Sequence, residues 1–408
     1  MKQIFKQSSL LILAQILTRI FGFFYTIFLA NNLGVSNFGL YSVGLAYFSI
    51  ISSIADFGFN RFLVREIVKQ KEKSWEIIWS VFFLRLISVS AFFAILSVVL
   101  YLFDPNKMRV SVILLASLAV LPQVIALTFE GVFTALRKLQ FSAISAIVLS
   151  ISTVIFGIVL INQGFGVMGA VNAIILGQVV YATTLGIILY KSHGFARTAV
   201  TVQILKKAIF GSLPYGILAI LGLLYFRIDT VILSYLKGNF ETGIYSVGYR
   251  FLEALVFIPN ALTLALFPVF TKLHEEDPQK VKKLFFKSVS SMFAAGIVIA
   301  LGYFFVLPEI INQFLPQYIG AIDVIRILSF AIPFMFLHIP AAAVLTSTDK
   351  YLKQIIIISL VPLTFNIVFN LMFIPQFGIM AASWITVISD IVSAVCIVSC
   401  IKHFVFNK

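Results

Sequence analysis

Gly34-Val-Ser-Asn-Phe-Gly39-Leu-Tyr41-Ser42-Val43-Gly44 is echoed 204 residues later by Gly238-Asn-Phe-Glu-Thr-Gly243-Ile-Tyr245-Ser246-Val247-Gly248. The offset is half of the 408-residue chain, and six of the eleven positions are identical. Glycine permits a chain reversal, and Gly and Ser let helices approach closely, so each copy reads as a tight helix–loop–helix. A motif recurring at half-length predicts an internal duplication.

The sequence around both copies is apolar. Hydrophobic residues make up 61% of the chain and charged residues 11%, with a mean hydropathy of +1.05. Soluble domains run near 45–50% apolar and about 25% charged, so a water-soluble enzyme is excluded. Cys396 and Cys400, the only cysteines, lie four apart in one apolar stretch and read as packing residues rather than a disulfide scaffold. The net charge of +14 comes from short basic clusters between apolar segments, not from a polar basic stripe, which argues against nucleic acid as a partner.

A helix crosses the hydrocarbon core with about 20 apolar residues. Twelve segments meet that length, near 8–30, 39–60, 77–101, 110–130, 141–161 and 167–190, then 208–236, 242–268, 288–306, 320–346, 351–371 and 377–401. The alternation of a β-barrel is absent, so the expected fold class is an all-α polytopic membrane protein. The first segment is too long for a signal peptide, and Arg19 interrupts it, so it reads as a retained helix. The two glycine motifs join spans one and two and spans seven and eight. This predicts two six-helix lobes related by a parallel repeat: residues 1–190, a basic cytoplasmic linker 191–207, and residues 208–408.

Lysine and arginine distribution predicts the orientation. With both termini in the cytoplasm, the inner segments collect 22 basic residues, from Lys2 and Lys6 through Arg197 to Lys408. The outer loops hold only Lys107, Arg109 and Lys237. Segments 61–76 and 271–287 mix basic and apolar residues and read as interfacial amphipathic helices on anionic lipid.

The run Asn32-Leu-Gly-Val-Ser-Asn-Phe-Gly-Leu-Tyr-Ser-Val-Gly44, with Ala55-Asp56-Phe-Gly58 and Leu63-Val-Arg65-Glu66, resembles the N-terminal signature of polysaccharide-transporter proteins. These are the Wzx-type oligosaccharide-lipid flippases of the multidrug/oligosaccharidyl-lipid/polysaccharide exporter superfamily. The detailed likeness covers roughly residues 8–70, and the twelve-helix plan covers the chain. The resemblance implies a carrier of undecaprenyl-diphosphate-linked glycan repeat units across the bacterial inner membrane, serving O-antigen, capsule or exopolysaccharide biosynthesis. It also implies partners among membrane lipids and other polysaccharide-assembly membrane proteins.

Ionisable residues within spans are functional candidates because each is costly in lipid. The arginines are Arg19, Arg85, Arg227, Arg250 and Arg326, and the acids are Asp56, Glu130, Asp229, Glu253, Asp323 and Asp390. An arginine fork matches phosphate oxygens, so the five arginines are candidate ligands for a lipid diphosphate in a wet cleft. Gln15, Asn31, Asn60, Tyr25, Tyr41, Tyr225, Tyr245 and Tyr249 are candidate sugar contacts or packing residues. Structural pairing competes with function: Arg250–Glu253 and Asp323–Arg326 are spaced to meet on one helix face, and Asp56 and Glu130 could serve Arg61 and Arg137. Asp229, Glu253, Asp390 and Asp56 could instead bind Na⁺ or a proton as a coupling ion. No cofactor is expected; among the histidines only His338 lies in a span, without a second ligand at metal spacing.

Pro214, Pro259, Pro268, Pro333 and Pro340 predict bent helices, and alternating access by rocking lobes is the expected mechanism. Two alternatives stand beside the flippase. One is a cation-coupled exporter of drugs or other amphiphiles in the same superfamily. The other, a membrane glycan polymerase or ligase, is disfavoured by outer loops of about five to thirteen residues.

Overall fold

A computed structural model describes the backbone of residues 2–196, 198–276 and 278–406, and the side chains of 13–196, 198–274 and 279–406. Lys2, Lys6, Arg197 and Lys408, used above for orientation, lie outside the described side chains. Among the described residues the chain is helical with short connections and no strand. In order, the α-helices are α1 (Lys2–Asp56), α2 (Phe59–Lys69), α3 (Ser74–Phe103), α4 (Lys107–Leu118), α5 (Val120–Ala135), α6 (Leu139–Asn162) and α7 (Gly166–His193). There follow α8 (Val202–Leu255), α9 (Phe257–Glu276), α10 (Pro278–Phe314), α11 (Ala321–Ser329), α12 (Ile332–Thr346) and α13 (Leu352–Ile401).

Eight helical runs are long and apolar enough to cross a membrane, or nine when α11 and α12, bent by 52°, count as one. Large apolar side chains such as Phe24, Ile87, Tyr101, Leu264 and Phe305 stay exposed along these helices, as lipid-facing residues do. This is a multi-pass membrane protein.

The longest runs are not single rods. The 55 residues of α1 would span about 80 Å at 1.5 Å per residue, far beyond a bilayer core of about 30 Å. Gly34 breaks the helix with φ 71° and ψ 167°, and Gly238 breaks α8 with φ 83° and ψ −174°. These near-identical conformations, disfavoured for residues with a Cβ, fall at the first position of the two sequence motifs. Gly378 interrupts α13 in the same manner.

The chain forms two compact units, Met1–Leu223 and Leu224–Lys408, dividing within α8. In the first, α6 packs on α7 and α1, and α5 packs on α7, α2 and α3. Its core gathers Phe62, Leu63, Ile77, Val81, Phe133, Tyr181 and Leu185. The segment after α7 is fastened to this unit: Trp79 Nε1 donates to the Ala196 carbonyl at 2.9 Å, and Phe195 packs among Trp75, Phe129 and Tyr190. Thr201 Oγ1 then donates to Glu76 at 2.6 Å. In the second unit α12 packs on α10, α13 and α9, and α11 on α13.

Two expectations are corrected here, and two of the bends expected at prolines are placed. α2 is amphipathic, yet Phe59, Phe62, Leu63 and Ile67 are buried in the first unit's core, so its apolar face meets protein rather than lipid. The turn at Phe57 and Gly58, both at positive φ, folds α2 back onto α5. Residues 271–287 are likewise not one interfacial helix, because α9 ends at Glu276 and α10 begins at Pro278, with Val281 and Phe285 buried. The expected span 242–268 stops at Leu255 and restarts at Phe257, two residues before Pro259. The span near 320–346 bends between Ser329 and Ile332, ahead of Pro333.

Candidate functional site

Each unit brings together ionisable side chains from distant positions in the chain, through partners that local spacing mostly does not reveal. In the first unit α3 places Arg85 at 0% exposure, where its guanidinium forms an ion pair with Asp56 in the last turn of α1. Nη1 also donates to Thr128 Oγ1 on α5 at 2.8 Å, while Nε has no partner. Two residues beyond Thr128, Glu130 accepts from the Tyr181 hydroxyl on α7 at 2.9 Å. The expected partners are therefore replaced. Asp56 serves Arg85 rather than Arg61, Glu130 is bonded to Tyr181 rather than Arg137, and Arg61 lies over the Tyr215 ring at 4.8 Å. An external phosphate would have to displace Asp56 to reach Arg85. Arg19 occupies an exposed position on α1.

In the second unit α8 presents Tyr225, Arg227 and Asp229 in succession. Arg227 and Arg250 share one carboxylate: Glu253 forms an ion pair with Arg227 and another with Arg250 Nη1 at 3.3 Å. Arg227 is 15%, Arg250 24% and Glu253 27% exposed, and Arg227 Nε is buried without a partner. Two guanidinium groups on one carboxylate leave a net positive charge with unused donors. The i,i+3 pair expected between Arg250 and Glu253 forms, but Arg227 joins it from 26 residues away. The pair expected between Asp323 and Arg326 does not form among the described residues. Both are exposed, and Arg326 lies over the Phe304 ring at 5.7 Å.

Asp229 is only 2% exposed and has no cationic partner among the described residues. It accepts from Tyr245 at 3.0 Å, Thr386 Oγ1 at 2.8 Å and Asn370 Nδ2 at 2.8 Å. Asn370 Nδ2 also donates to Asn366 Oδ1 at 3.0 Å, and Asn370 Oδ1 is buried without a partner. This is a buried nest of oxygen atoms around an uncompensated carboxylate, the donor set preferred by a hard cation. Asp390 is held apart from it by Tyr225, at 2.6 Å, and His338 Nε2, at 3.1 Å. Sequence reasoning missed Thr128, Tyr181, Asn366, Asn370 and Thr386. The signal for the asparagines was their i,i+4 spacing in an apolar span, which puts two amides on one helix face where lipid cannot satisfy them. Among the sugar-contact candidates, Tyr25, Tyr41, Tyr245 and Tyr249 are buried, whereas Gln15 and Asn31 are exposed.

A family model described as polysaccharide biosynthesis protein matches residues 4–274, about two thirds of the chain. The chain belongs to that family. A second model, MatE, matches residues 214–372. A relative named uncharacterized membrane protein MJ1068, from Methanocaldococcus jannaschii, is 24% identical over 396 residues, 88% of this chain and 76% of its own. The probable flippase AglR of Haloferax volcanii is 25% identical over 175 residues, 40% of this chain and 35% of its own. Among solved structures, the lipid II flippase MurJ in an inward closed conformation aligns with a TM-score of 0.80 at 14% identity, over 98% of this chain and 88% of its own. An inward-facing multidrug resistance MATE family transporter of the MOP superfamily aligns with a TM-score of 0.72 at 16% identity, covering 93% and 96%. At such identities these likenesses establish a shared fold alone, and the resemblance drawn from residues 32–66 agrees with the family match.

Proposed function

We propose that this protein is a flippase. It moves an oligosaccharide linked to undecaprenyl diphosphate, or a similar polyprenyl carrier, across the cytoplasmic membrane by alternating access, feeding surface polysaccharide assembly. The observation that carries this reading is the Arg227–Glu253–Arg250 triad. It is cationic, partly exposed, and built from the side chain whose planar fork matches phosphate oxygens. The family match and the flippase relative support the substrate class.

Twelve crossings are part of the same proposal. Breaks at Gly34, Gly238 and Gly378 would divide three long runs and raise nine crossings to twelve. The order of elements supports a duplication: each half has a run broken at its motif glycine, one long helix, a helix pair broken mid-span, then two more segments. We retain cytoplasmic termini as the orientation, on the basic-residue distribution.

Asp229 is the proposed coupling site for Na⁺ or a proton. Of the four carboxylates considered, Asp56 and Glu253 are already neutralised by arginine, and Asp390 is engaged by Tyr225 and His338. The same nest favours the second reading, a cation-coupled exporter of small amphiphiles, which the MATE-type fold fits equally well.

Deletion of the gene separates the readings. A flippase predicts loss of surface polysaccharide and build-up of lipid-linked precursor in the cytoplasmic leaflet. Unchanged export without build-up, together with drug sensitivity on deletion, would leave the exporter.

A further inference from the structure

We propose that Glu130 is a proton-binding site within the first unit, distinct from the Asp229 nest and formed against the Asp56–Arg85 ion pair. The cluster holds two carboxylates and one guanidinium. Arg85 is spent on Asp56 and Thr128, so charge on Glu130 is an excess negative charge, and a proton there makes the cluster neutral. The surroundings oppose any uncompensated charge: Ala126, Phe133, Leu185 and Val132 belong to one apolar core around this part of α5. Two features oppose permanent protonation. The Tyr181 hydroxyl donates to Oε2 at 2.9 Å, and the buried Arg85 keeps an unpartnered Nε–H. Glu130 is thus held between its two states, and being only half-buried it can exchange with water while Arg85 cannot.

The charges acting on Glu130 are Arg85 from α3 and Asp56 from α1, with Tyr181 from α7. α6 contributes no ionisable side chain. α2 also packs on α5, but its Glu66 is engaged by Lys207 and Arg65, and its Arg61 by Tyr215. In the proposed step the Glu130 carboxylate takes a proton from water as an O–H bond forms on one carboxyl oxygen. Release returns that proton to water, and the tie to Tyr181 can persist through both states.

Infrared pH-difference spectra of the full-length protein in lipid test this directly, without a transport assay, so the result stands apart from the substrate reading. The wild type should show a carboxylic-acid C=O band that titrates away with rising pH, and Glu130→Gln should lose it. Asp229→Asn should keep it. Tyr181→Phe removes a donor to the charged form, so the midpoint should move to higher pH. Asp56→Asn removes a like charge and frees Arg85, so the midpoint should move lower. Superimposable spectra for wild type and Glu130→Gln would overturn the proposal, leaving Glu130 as a fixed acceptor tying α5 to α7. Should Glu130→Gln fail to fold, an unmoved midpoint in Tyr181→Phe would overturn it equally.

Discussion

Arg85 and Arg227 are chemically identical and sit in opposite circumstances. Arg85 is sealed at 0% exposure against one carboxylate, whereas Arg227 shares its carboxylate with a second arginine and remains partly open. Removing one partner of a buried pair costs about 3–5 kcal/mol because the other charge is stranded. Arg85→Met should therefore lower the thermal midpoint of the purified protein, and the double variant with Asp56→Asn should recover most of the loss; additive losses would show that the pair is not a unit. Arg227→Gln should act on transport rather than folding. A charge-assisted hydrogen bond contributes about 1.5–3 kcal/mol, so flux of lipid-linked precursor should fall roughly tenfold to a hundredfold with an unchanged melting curve. Arg227→Lys should rescue only in part, since a point charge lacks the fork. The candidate arginines were legible as costly charges in apolar segments. Their partners were not, because spacing reveals only neighbours three or four residues apart, and Asp56–Arg85 and Asn370–Asp229 are separated by 29 and 141.

At the scale of elements, hydropathy locates the helices well and their interruptions poorly. The breaks at Gly34 and Gly238 fall at the recurring motif, and the structure gives both glycines a similar positive-φ, extended backbone. A Cβ in this region, which is essentially reserved for glycine, costs about 1–3 kcal/mol, so Gly34→Ala and Gly238→Ala should each destabilise the protein although open space surrounds both positions. Equal melting temperatures for wild type and variants would show that φ is not the constraint. The breaks before Pro259 and Pro333 were foreshadowed by those prolines, but not placed. α2 shows a different limit: an amphipathic pattern states that one face is apolar, and leaves open whether lipid or protein covers it. Here Phe62, Leu63 and Ile67 are covered by α3 and α5.

For the molecule as a whole, membrane class and helical content followed from composition and the length of the apolar segments, whereas eight or nine apolar runs among the described residues stand where twelve spans were expected. The compact units divide inside α8, between Leu223 and Leu224. The proposed topology makes a direct prediction. In a chain with Cys396 and Cys400 replaced by serine, Lys282→Cys and Lys350→Cys should label only from the cytoplasm, and Lys237→Cys only from outside. Labelling of Lys237→Cys and Lys282→Cys from the same side would break the alternation. The proposed ion coupling belongs to the assembled carrier as well: Asp229→Asn should abolish stimulation of flux by Na⁺ or a proton gradient while leaving diphosphate binding measurable.

Arg227 and Asp229 are two residues apart on one unbroken stretch of α8, so they project roughly 200° from each other about its axis. Occupancy of the oxygen nest and occupancy of the guanidinium pair would thus load opposite flanks of a single stiff rod. In the proposed cycle such a shaft would have no independent joint between its two cargoes, which would tie the uptake of one to the fate of the other and disfavour slippage of either alone.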